Sequence, residues 1–393
     1  MIGNVSLKLV GTIIATCTVN LLISLDVTMV NVALTSIQRE LRVPVGQLSW
    51  VVQVYSIAFA VLLLAGGAVS DRLGSAPAFL VGSVVFGVGS VMGATAPSLA
   101  LLLLSRLVQG VGAAICVPSA LAVLRERMPS EQLARAIAMW VFSASIAISL
   151  GPLLGGLLVE FVSWRGIFVI NVPLVIGALV LLRPYSRIKS LDHQLAGVSP
   201  IRALAMWSVF RYSAAIGGII SAVNFGMLYA LGIYYGRENS AVVVGALFLP
   251  MMISCGVSTM LVGRIRARIA DSAVVTLGLA AQLLGSVLIA ISWRSDGAVS
   301  ASAVLLGFGV GLAIPTITAN LLSAADGAVV GLTSGAFTAL RQLGGVLGVA
   351  ITAAMVDGAH GRVDLGATGM TCATALAIGI FVHFRAQSRE RRG

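Results

Sequence analysis

The sequence is short of charged residues. Only 10% of its 393 residues are Asp, Glu, Lys or Arg, against about 25% in ordinary soluble domains. Hydrophobic residues make up 58%, and the mean hydropathy is +1.03. A soluble globule could not bury so much apolar surface, because a fold of this size must leave too large a share of its surface exposed. The composition excludes soluble enzymes, nucleic-acid-binding proteins and disordered chains, and leaves a chain that lies mostly in lipid.

Histidine and cysteine are also scarce, with three and four residues respectively. The cysteines lie far apart within apolar segments, so they predict neither a disulfide framework nor a metal cluster. The sequence contains no cluster of histidines, no arrangement of a nucleophile with a base, and no nucleotide-binding motif. It therefore predicts that the chain is not an enzyme and binds neither a metal nor a cofactor.

Long apolar runs are what the sequence has instead. A helix needs about 20 apolar residues to cross a bilayer, and twelve segments qualify. The predicted spans are 9–34, 48–70, 77–95, 98–123, 137–159, 165–182, 209–234, 242–262, 272–293, 299–323, 331–356 and 365–384. Unbroken runs of this length exclude the alternating strands of a membrane barrel. The predicted fold class is an all-α polytopic membrane protein of twelve transmembrane helices in two six-helix bundles.

The positive charge of the chain indicates its orientation. The net charge is +11, and most Lys and Arg residues fall in the loops and tails on one side. By the positive-inside rule both termini are then cytoplasmic. This charge needs no nucleic acid to explain it, since it sets topology and contacts anionic lipid of the bilayer. Arg far outnumbers Lys, a bias typical of GC-rich bacteria, so we expect a multi-pass monomer in a bacterial plasma membrane.

The two halves of the chain resemble each other. The longest non-apolar stretch, 183–207, predicts a cytoplasmic linker between an N-terminal bundle, 1–182, and a C-terminal bundle, 208–393, with a basic cytoplasmic tail. Residues 67–72 match 263–268. The other matches are Gly82 with Gly278, Gly110 with Gly309, Gly112 with Gly311, and Pro118 with Pro315. Two parallel six-helix halves around a site at the middle of the membrane are a common transporter plan.

Four motifs follow one another in the first half. They are residues 25–34 around Asp26, residues 67–74, residues 104–112 around Arg106, and residues 151–156 followed by 164–173. Together they resemble the major facilitator superfamily and, more narrowly, its drug:proton antiporters of the EmrB/QacA branch. Residues 341–348 are the best match in the second half.

The sequence departs from that branch at several points. The branch usually has fourteen spans, and the central pair is missing here. Thr35 stands where a Pro is common, and Ser75 and Ala76 stand where basic residues are common. Ala138 and Ala147 occupy positions that usually hold glycine.

Asp26 and Arg106 are the predicted proton-coupling residues. A charge at the bilayer centre costs about 2.5–3.5 kcal/mol on insertion scales, so it must be paired, hydrated or neutralised. Asp26 and Arg106 are equally far from the predicted span ends at Leu34 and Ser98, which places both about 12 Å deep. The alternatives are that Asp26 only organises water or caps a kink, and that Arg106 only bonds backbone carbonyls.

Two further groups of residues are candidates. For the substrate cavity we predict Asn31, Gln53, Tyr55, Gln109, Arg341 and Gln342. For gating, the resemblance implies Gly67, Asp71, Arg72, Gly74, Gly151, Pro152, Gly155 and Gly156. The alternatives are interhelical hydrogen bonds for the polar residues, close packing for the glycines, and a solvated turn for Asp71 and Arg72.

The function that the sequence favours is proton-coupled export of a hydrophobic small molecule or drug, cationic or neutral, by alternating access. The partners are then the substrate, protons and the bilayer, and the proton gradient supplies the energy without any cofactor. One alternative is a proton symporter that imports a metabolite. Another is a non-transporting membrane receptor or assembly protein, which the short loops disfavour.

Overall fold

The computed structural model describes residues 7–182, 200–324, 330–355 and 364–390, and in these ranges the chain forms thirteen helices and no strand. The helices are α1 Leu7–Leu41, α2 Val45–Leu73, α3 Ser75–Ala94, α4 Leu99–Arg127, α5 Ser130–Phe161, α6 Gly166–Val169, α7 Asn171–Leu182, α8 Pro200–Tyr235, α9 Ala241–Arg266, α10 Asp271–Ser292, α11 Asp296–Ala324, α12 Val330–Ala354 and α13 Leu365–Glu390. The predicted all-α membrane fold is confirmed.

Eleven helices of the described chain are long and apolar enough to cross a membrane, and a shorter apolar stretch covers Gly166–Leu182. That stretch is the sixth predicted span, and it is not one helix. It divides into α6 and α7, which end and begin around Ile170. Pro173 lacks the N–H that a continuous helix would donate to the Val169 carbonyl, which favours a break at this point, although Pro118 and Pro152 lie inside unbroken helices.

The predicted turn after the first span is helical. Helix α1 continues through Arg39 and Glu40 to Leu41. The Glu40 carboxylate accepts hydrogen bonds from the Trp164 indole N–H at 2.7 Å and from the Arg165 guanidinium. These bonds hold the last turn of α1 against the segment between α5 and α6.

The predicted loop after the second span is also mostly helical. Helix α2 includes Asp71 and Arg72 and ends at Leu73, and α3 begins at Ser75. Gly74 alone makes the turn, with φ 87°. A positive φ is readily adopted only by glycine, which accounts for this residue at the end of the motif.

The described residues fall into two compact units. One contains residues 7–43 and 50–182, and the other contains residues 44–49 and 200–390. In the first unit α1 packs against α5 and α7, and α3 packs against α4. In the second unit α8 packs against α12, α10 against α11 and α13, and α9 against α11.

Close helix contacts correct the register of the internal repeat. A Cβ at Gly110 would lie 2.7 Å from the Tyr55 carbonyl oxygen on α2, and one at Gly307 would lie 1.9 Å from the Met251 carbonyl oxygen on α9. Gly110 therefore corresponds to Gly307 and not to Gly309.

The next glycine of the motif agrees with this corrected register. A Cβ at Gly112 would lie 2.7 Å from the Gly82 carbonyl oxygen on α3, and one at Gly309 would lie 2.3 Å from the Gly278 carbonyl oxygen on α10. Gly112 thus corresponds to Gly309, at the interval that also separates Pro118 from Pro315. Matching the two Gly-Val-Gly motifs by sequence alone shifts the register by two residues.

Gly66 and Gly67 give a direct test of the packing of α2. A Cβ at Gly66 would lie 2.0 Å from the Ala114 carbonyl oxygen on α4, whereas one at Gly67 would meet nothing within 4 Å. We expect Gly66→Ala to lower the free energy of unfolding by about 1–3 kcal/mol, because backbone must move to admit the methyl group. Gly67→Ala is the matched control and should unfold like the parent protein. Thermal unfolding of the purified chain in detergent measures both, and equal melting temperatures would contradict this packing.

Candidate functional site

A buried ion pair joins α1 to α4 in the first unit. The Arg106 guanidinium donates from Nη1 to Asp26 Oδ2, and the two side chains are only 1% and 0% exposed. The structure therefore brings together the two residues that the sequence placed at equal depth. Taking both charges out of water is costly, and the cost is offset only when good geometry and further hydrogen bonds accompany the pair.

Gln109 supplies the first of these hydrogen bonds. Its carbonyl Oε1 accepts from Arg106 Nη1 at 2.7 Å, and its Nε2 donates to Asp26 Oδ1 at 3.2 Å. Gln109 lies one turn after Arg106 on α4, so both side chains project from the same face. The amide thus touches both members of the pair, although the sequence predicted it for the substrate cavity.

Helix α2 holds the other side of Arg106. Its Nε donates to the Val51 carbonyl oxygen at 3.0 Å, and its Cζ lies 4.5 Å from the centre of the Tyr55 ring. A guanidinium over an aromatic face is attracted by the ring quadrupole. Tyr55 is 1% exposed, and its hydroxyl has no hydrogen-bond partner within the described part of the chain.

Helices α3 and α7 complete the network. Gln109 Nε2 also donates to Ser90 Oγ at 3.0 Å, and Asn171 Nδ2 donates to the same oxygen at 3.3 Å. Ser90 and Asn171 are fully buried. A set of side-chain bonds therefore links α1, α3, α4 and α7 around one carboxylate, and the main-chain carbonyl of Val51 adds α2.

Helix α5 packs against α1 close to Asp26 in the sequence. A Cβ at Gly151 would lie 1.9 Å from Thr28 Oγ1, and one at Gly155 would lie 2.9 Å from the Met29 Cα. Pro152 lies inside the same helix, and Gly156 is buried with it. These predicted gating residues bring α5 against the turn of α1 that follows Asp26. A displacement of α1 at this turn would therefore require α5 to move.

The remaining predicted residues of the first unit lie apart from this network. Asn31 is buried on α1 and donates from Nδ2 to the Val27 carbonyl at 2.9 Å. Gln53 is buried on α2. Asp71 and Arg72 are exposed in the last turn of α2. Gly74 is the N-cap of α3, without a side-chain capping bond, and α3 is tied at this end by a hydrogen bond from Ser75 to Glu126 on α4.

Arg341 and Gln342 belong to the second unit, on α12. Gln342 is buried, and the Arg341 Cζ lies 6.0 Å from the centre of the Phe337 ring. The structure does not join these residues to the ion pair of the first unit by any contact that it describes.

Matching contacts identify the counterparts of the ion pair in the second unit. Gly89 approaches Gln109 as Gly285 approaches Leu306, and Gly155 approaches Met29 as Gly348 approaches Ala222. When the differences in residue number between these matched contacts are applied, the counterparts of Asp26, Arg106 and Gln109 are Ile219, Ala303 and Leu306. The charged network is therefore confined to one of the two repeats.

One polar cluster was not predicted. Arg165 donates from Nη2 to the Ala96 carbonyl at 2.8 Å, and its Cζ lies 4.2 Å from the centre of the Trp164 ring. With Glu40 it ties together α1, the α3–α4 turn and the segment before α6. The Trp-Arg dipeptide of the motif was the available signal, but nothing in the sequence pointed to Glu40 as its partner.

The chain is similar to several known proteins. A family model described as Major Facilitator Superfamily matches residues 16–349. The "Methylenomycin A resistance protein" of Bacillus subtilis (strain 168) is 28% identical over 398 residues, covering 86% of this chain and 85% of that protein. "Multidrug resistance protein Stp" of Mycobacterium tuberculosis is 30% identical over 401 residues, covering 86% and 74%. "Drug efflux pump JefA" of the same species is 28% identical over 406 residues, covering 88% and 80%.

Solved structures have the same fold. A bacterial homologue of the human lysosomal transporter Spinster, inward-facing and unoccupied, aligns with a TM-score of 0.77 at 15% identity and covers 98% of each chain. The nucleoside transporter NupG aligns with a TM-score of 0.75 at 14% identity, covering 97% of this chain and 100% of its own.

The buried pair predicts non-additive effects on stability. Arg106→Gln should lower the free energy of unfolding by about 3–5 kcal/mol, because it leaves the Asp26 carboxylate buried without its cation. The double variant Asp26→Asn/Arg106→Gln should recover part of that loss. Arg165→Gln is the control: Glu40 is 49% exposed and stays hydrated, so we expect a smaller loss than at Arg106 even though the Arg165 bond to the Ala96 carbonyl is lost as well. Thermal unfolding is measured for the parent, Asp26→Asn, Arg106→Gln, the double variant and the control, and a loss in the double variant equal to the sum of the two single losses would contradict this pairing.

Proposed function

Because the chain belongs to the Major Facilitator Superfamily, we propose that it exports hydrophobic small molecules in exchange for protons. It is a multi-pass membrane protein of a transporter family, and neither that family nor the relatives are enzymes. The single observation that carries proton coupling is the buried carboxylate of Asp26, bound to Arg106 and Gln109.

Protonation would change this site more than any other in the first unit. While Asp26 is ionised, its two oxygens accept from Arg106 and Gln109 and join α1 to α4. A proton on the carboxyl removes the charge that Arg106 is paired with, and Arg106 then keeps only the Gln109 carbonyl, the Val51 carbonyl and the Tyr55 ring. A buried network that loses one charge favours a different arrangement of its helices, because an unpaired buried cation is costly.

The glycines of α5 would transmit a shift of α1 to the neighbouring helix α5. Gly151 and Gly155 seat α5 against Thr28 and Met29, which follow Asp26 on α1. Packed helices have discrete arrangements and do not deform continuously, so a shift of α1 requires α5 to repack. We propose that this coupling converts proton uptake at Asp26 into the switch between inward and outward access. One conformation releases substrate and takes up a proton, and the other does the reverse.

The direction of transport is proposed from the relatives. Their names describe a multidrug resistance protein and a drug efflux pump. Export lowers the internal concentration of a toxic compound, which is the simplest route from a membrane transporter to resistance. The substrate class proposed for this chain is therefore an amphipathic drug-like molecule.

Asp26→Asn tests the proton coupling. Asn keeps the size and an oxygen acceptor but cannot carry a charge or exchange a proton. We expect the variant to fold and to lose proton-driven efflux from everted vesicles, measured with a panel of lipophilic drugs. Glu131→Gln, which removes an exposed carboxylate in the first turn of α5, should transport like the parent. Undiminished proton-driven efflux by Asp26→Asn would remove Asp26 from the mechanism, and proton-driven accumulation in right-side-out vesicles would establish import.

The proposed orientation places both termini in the cytoplasm of a bacterial cell. In this topology the exposed Ser98 before α4 faces outside, and the exposed Arg268 between α9 and α10 faces inside. A membrane-impermeant maleimide added to intact cells should label Ser98→Cys and spare Arg268→Cys. Lysed cells serve as the control, in which both should react. The opposite pattern in intact cells would invert the topology.

A further inference from the structure

Arg341 is a second cation in the middle of a membrane-spanning helix. It belongs to the span Thr333–Ala354 of α12, and it lies about 12 Å along the helix axis from Thr333 at ~1.5 Å per residue. A charge at this depth is costly in a bilayer and is usually paired. Arg106 in the first unit is paired in this way with Asp26.

Arg341 has no such partner in the described chain. No residue that the structure describes forms an ion pair or a hydrogen bond with it, and its Nε is buried without an acceptor. Helices α8, α9 and α12 contain no Asp or Glu at all. Asp271 and Asp296 are the first residues of α10 and α11, at the ends of those spans.

The second unit also lacks the acceptors that hold Arg106 in the first unit, although Arg341 itself corresponds to Ile148 and not to Arg106. The positions that hold the acceptors of Arg106 in the first unit hold Ile219 and Leu306 in the second. A purely structural arginine would bond backbone carbonyls or amide side chains, as Arg106 bonds Val51 and Gln109. Arg341 makes no bond of that kind to any described residue, so structural anchoring does not account for its charge.

Residues of three helices surround Arg341. Phe337 lies beneath the guanidinium, and a Cβ at Gly217 on α8 would lie 3.2 Å from the Arg341 Cγ. On α9, the partly exposed Cys255 is within electrostatic range of the guanidinium. The aliphatic part of the Arg341 side chain packs against Gly217, while no residue in the described chain neutralises the charge of its guanidinium.

We propose that Arg341 binds a negatively charged group, a carboxylate, on the molecule that the chain exports. A guanidinium presents parallel N–H donors that match the two oxygens of a carboxylate. The hydrophobic remainder of such a molecule follows from the proposed function. This inference rests on the proposed function, and it changes the expected substrate from cationic or neutral to an amphipathic weak acid.

Cys255 provides a test that does not depend on transport. In full-length chain reconstituted in nanodiscs, with Cys17, Cys116 and Cys372 replaced by Ala, Cys255 is modified by a sulfonate-bearing or a trimethylammonium-bearing methanethiosulfonate. The positive charge of Arg341 should favour the anionic reagent. Arg341→Gln should lower the ratio of the two rates by about tenfold, because a unit charge acts strongly at short range in a low-dielectric site. Arg264→Gln removes an exposed charge from the same helix and should leave the ratio within about twofold, since solvent screens it.

Protection identifies the ligand. Decanoate should slow the labelling of Cys255 in the parent but not in Arg341→Gln, whereas decanol and decyltrimethylammonium should protect poorly. Chloride at the same concentration distinguishes a substrate carboxylate from an inorganic anion. The proposal is overturned if Arg341→Gln leaves the rate ratio unchanged, if Cys255 does not react, or if chloride or decanol protects as well as decanoate.

The experiments distinguish failure of the carboxylate site at Arg341 from failure of the proposed proton-driven export. An Asp26→Asn version of the Cys255 protein should keep its preference for the anionic reagent and its protection by decanoate. If that binding is observed while no variant or parent shows proton-driven efflux, the carboxylate site stands and the export function fails. If efflux is proton-driven but Arg341→Gln neither alters labelling nor reduces export of decanoate, the carboxylate site fails alone.

Discussion

The structure of the first unit depends on a single buried ion pair. Asp26 and Arg106 are both withdrawn from solvent inside membrane-spanning helices, in a chain that has few charges elsewhere. Such a pair is favourable only with nearly every donor and acceptor satisfied, and the surrounding helices supply these groups through Gln109, Ser90, Asn171 and the Val51 carbonyl. Satisfying one buried pair thus links five helices, and under the proposed function the same network would respond to a proton.

The two repeats use one helical framework for different chemistry. Glycines at matching positions bring α4 against α2 and α3, and α11 against α9 and α10. Within that shared framework the first unit carries a buried, hydrogen-bonded ion pair, and the second carries apolar residues at the same positions and an arginine on α12 without a described partner. This asymmetry is consistent with a division of work in which one unit responds to protons and the other recognises a charged group of the substrate. Neither role would follow from the fold alone, because the fold is shared by transporters of unrelated substrates.

Much of the fold was predictable because it depends on composition and on local chemistry. Apolar runs of spanning length predict the helices, and the depth of Asp26 and Arg106 in their spans predicts that they lie at one height. The break between α6 and α7 could have been predicted from Pro173. What the sequence could not supply are contacts between helices distant in the chain. The register of the repeat needed the contacts of Gly307 and Gly309, and the partner of Trp164 and Arg165 is a glutamate from a different helix. Gln109 was predicted to face substrate, but its environment was decided by which face of α4 meets α1.

The proposed mechanism requires Asp26 to exchange a proton while Arg106 stabilises the ionised form of its carboxylate. Infrared difference spectroscopy of the reconstituted chain, titrated with acid, measures this most directly, because a protonated carboxyl has a separate carbonyl stretching band. We expect a band from a buried carboxyl that is absent in Asp26→Asn and appears at a different pH in Arg106→Gln. A band of a buried carboxyl that is unchanged in Asp26→Asn would contradict it.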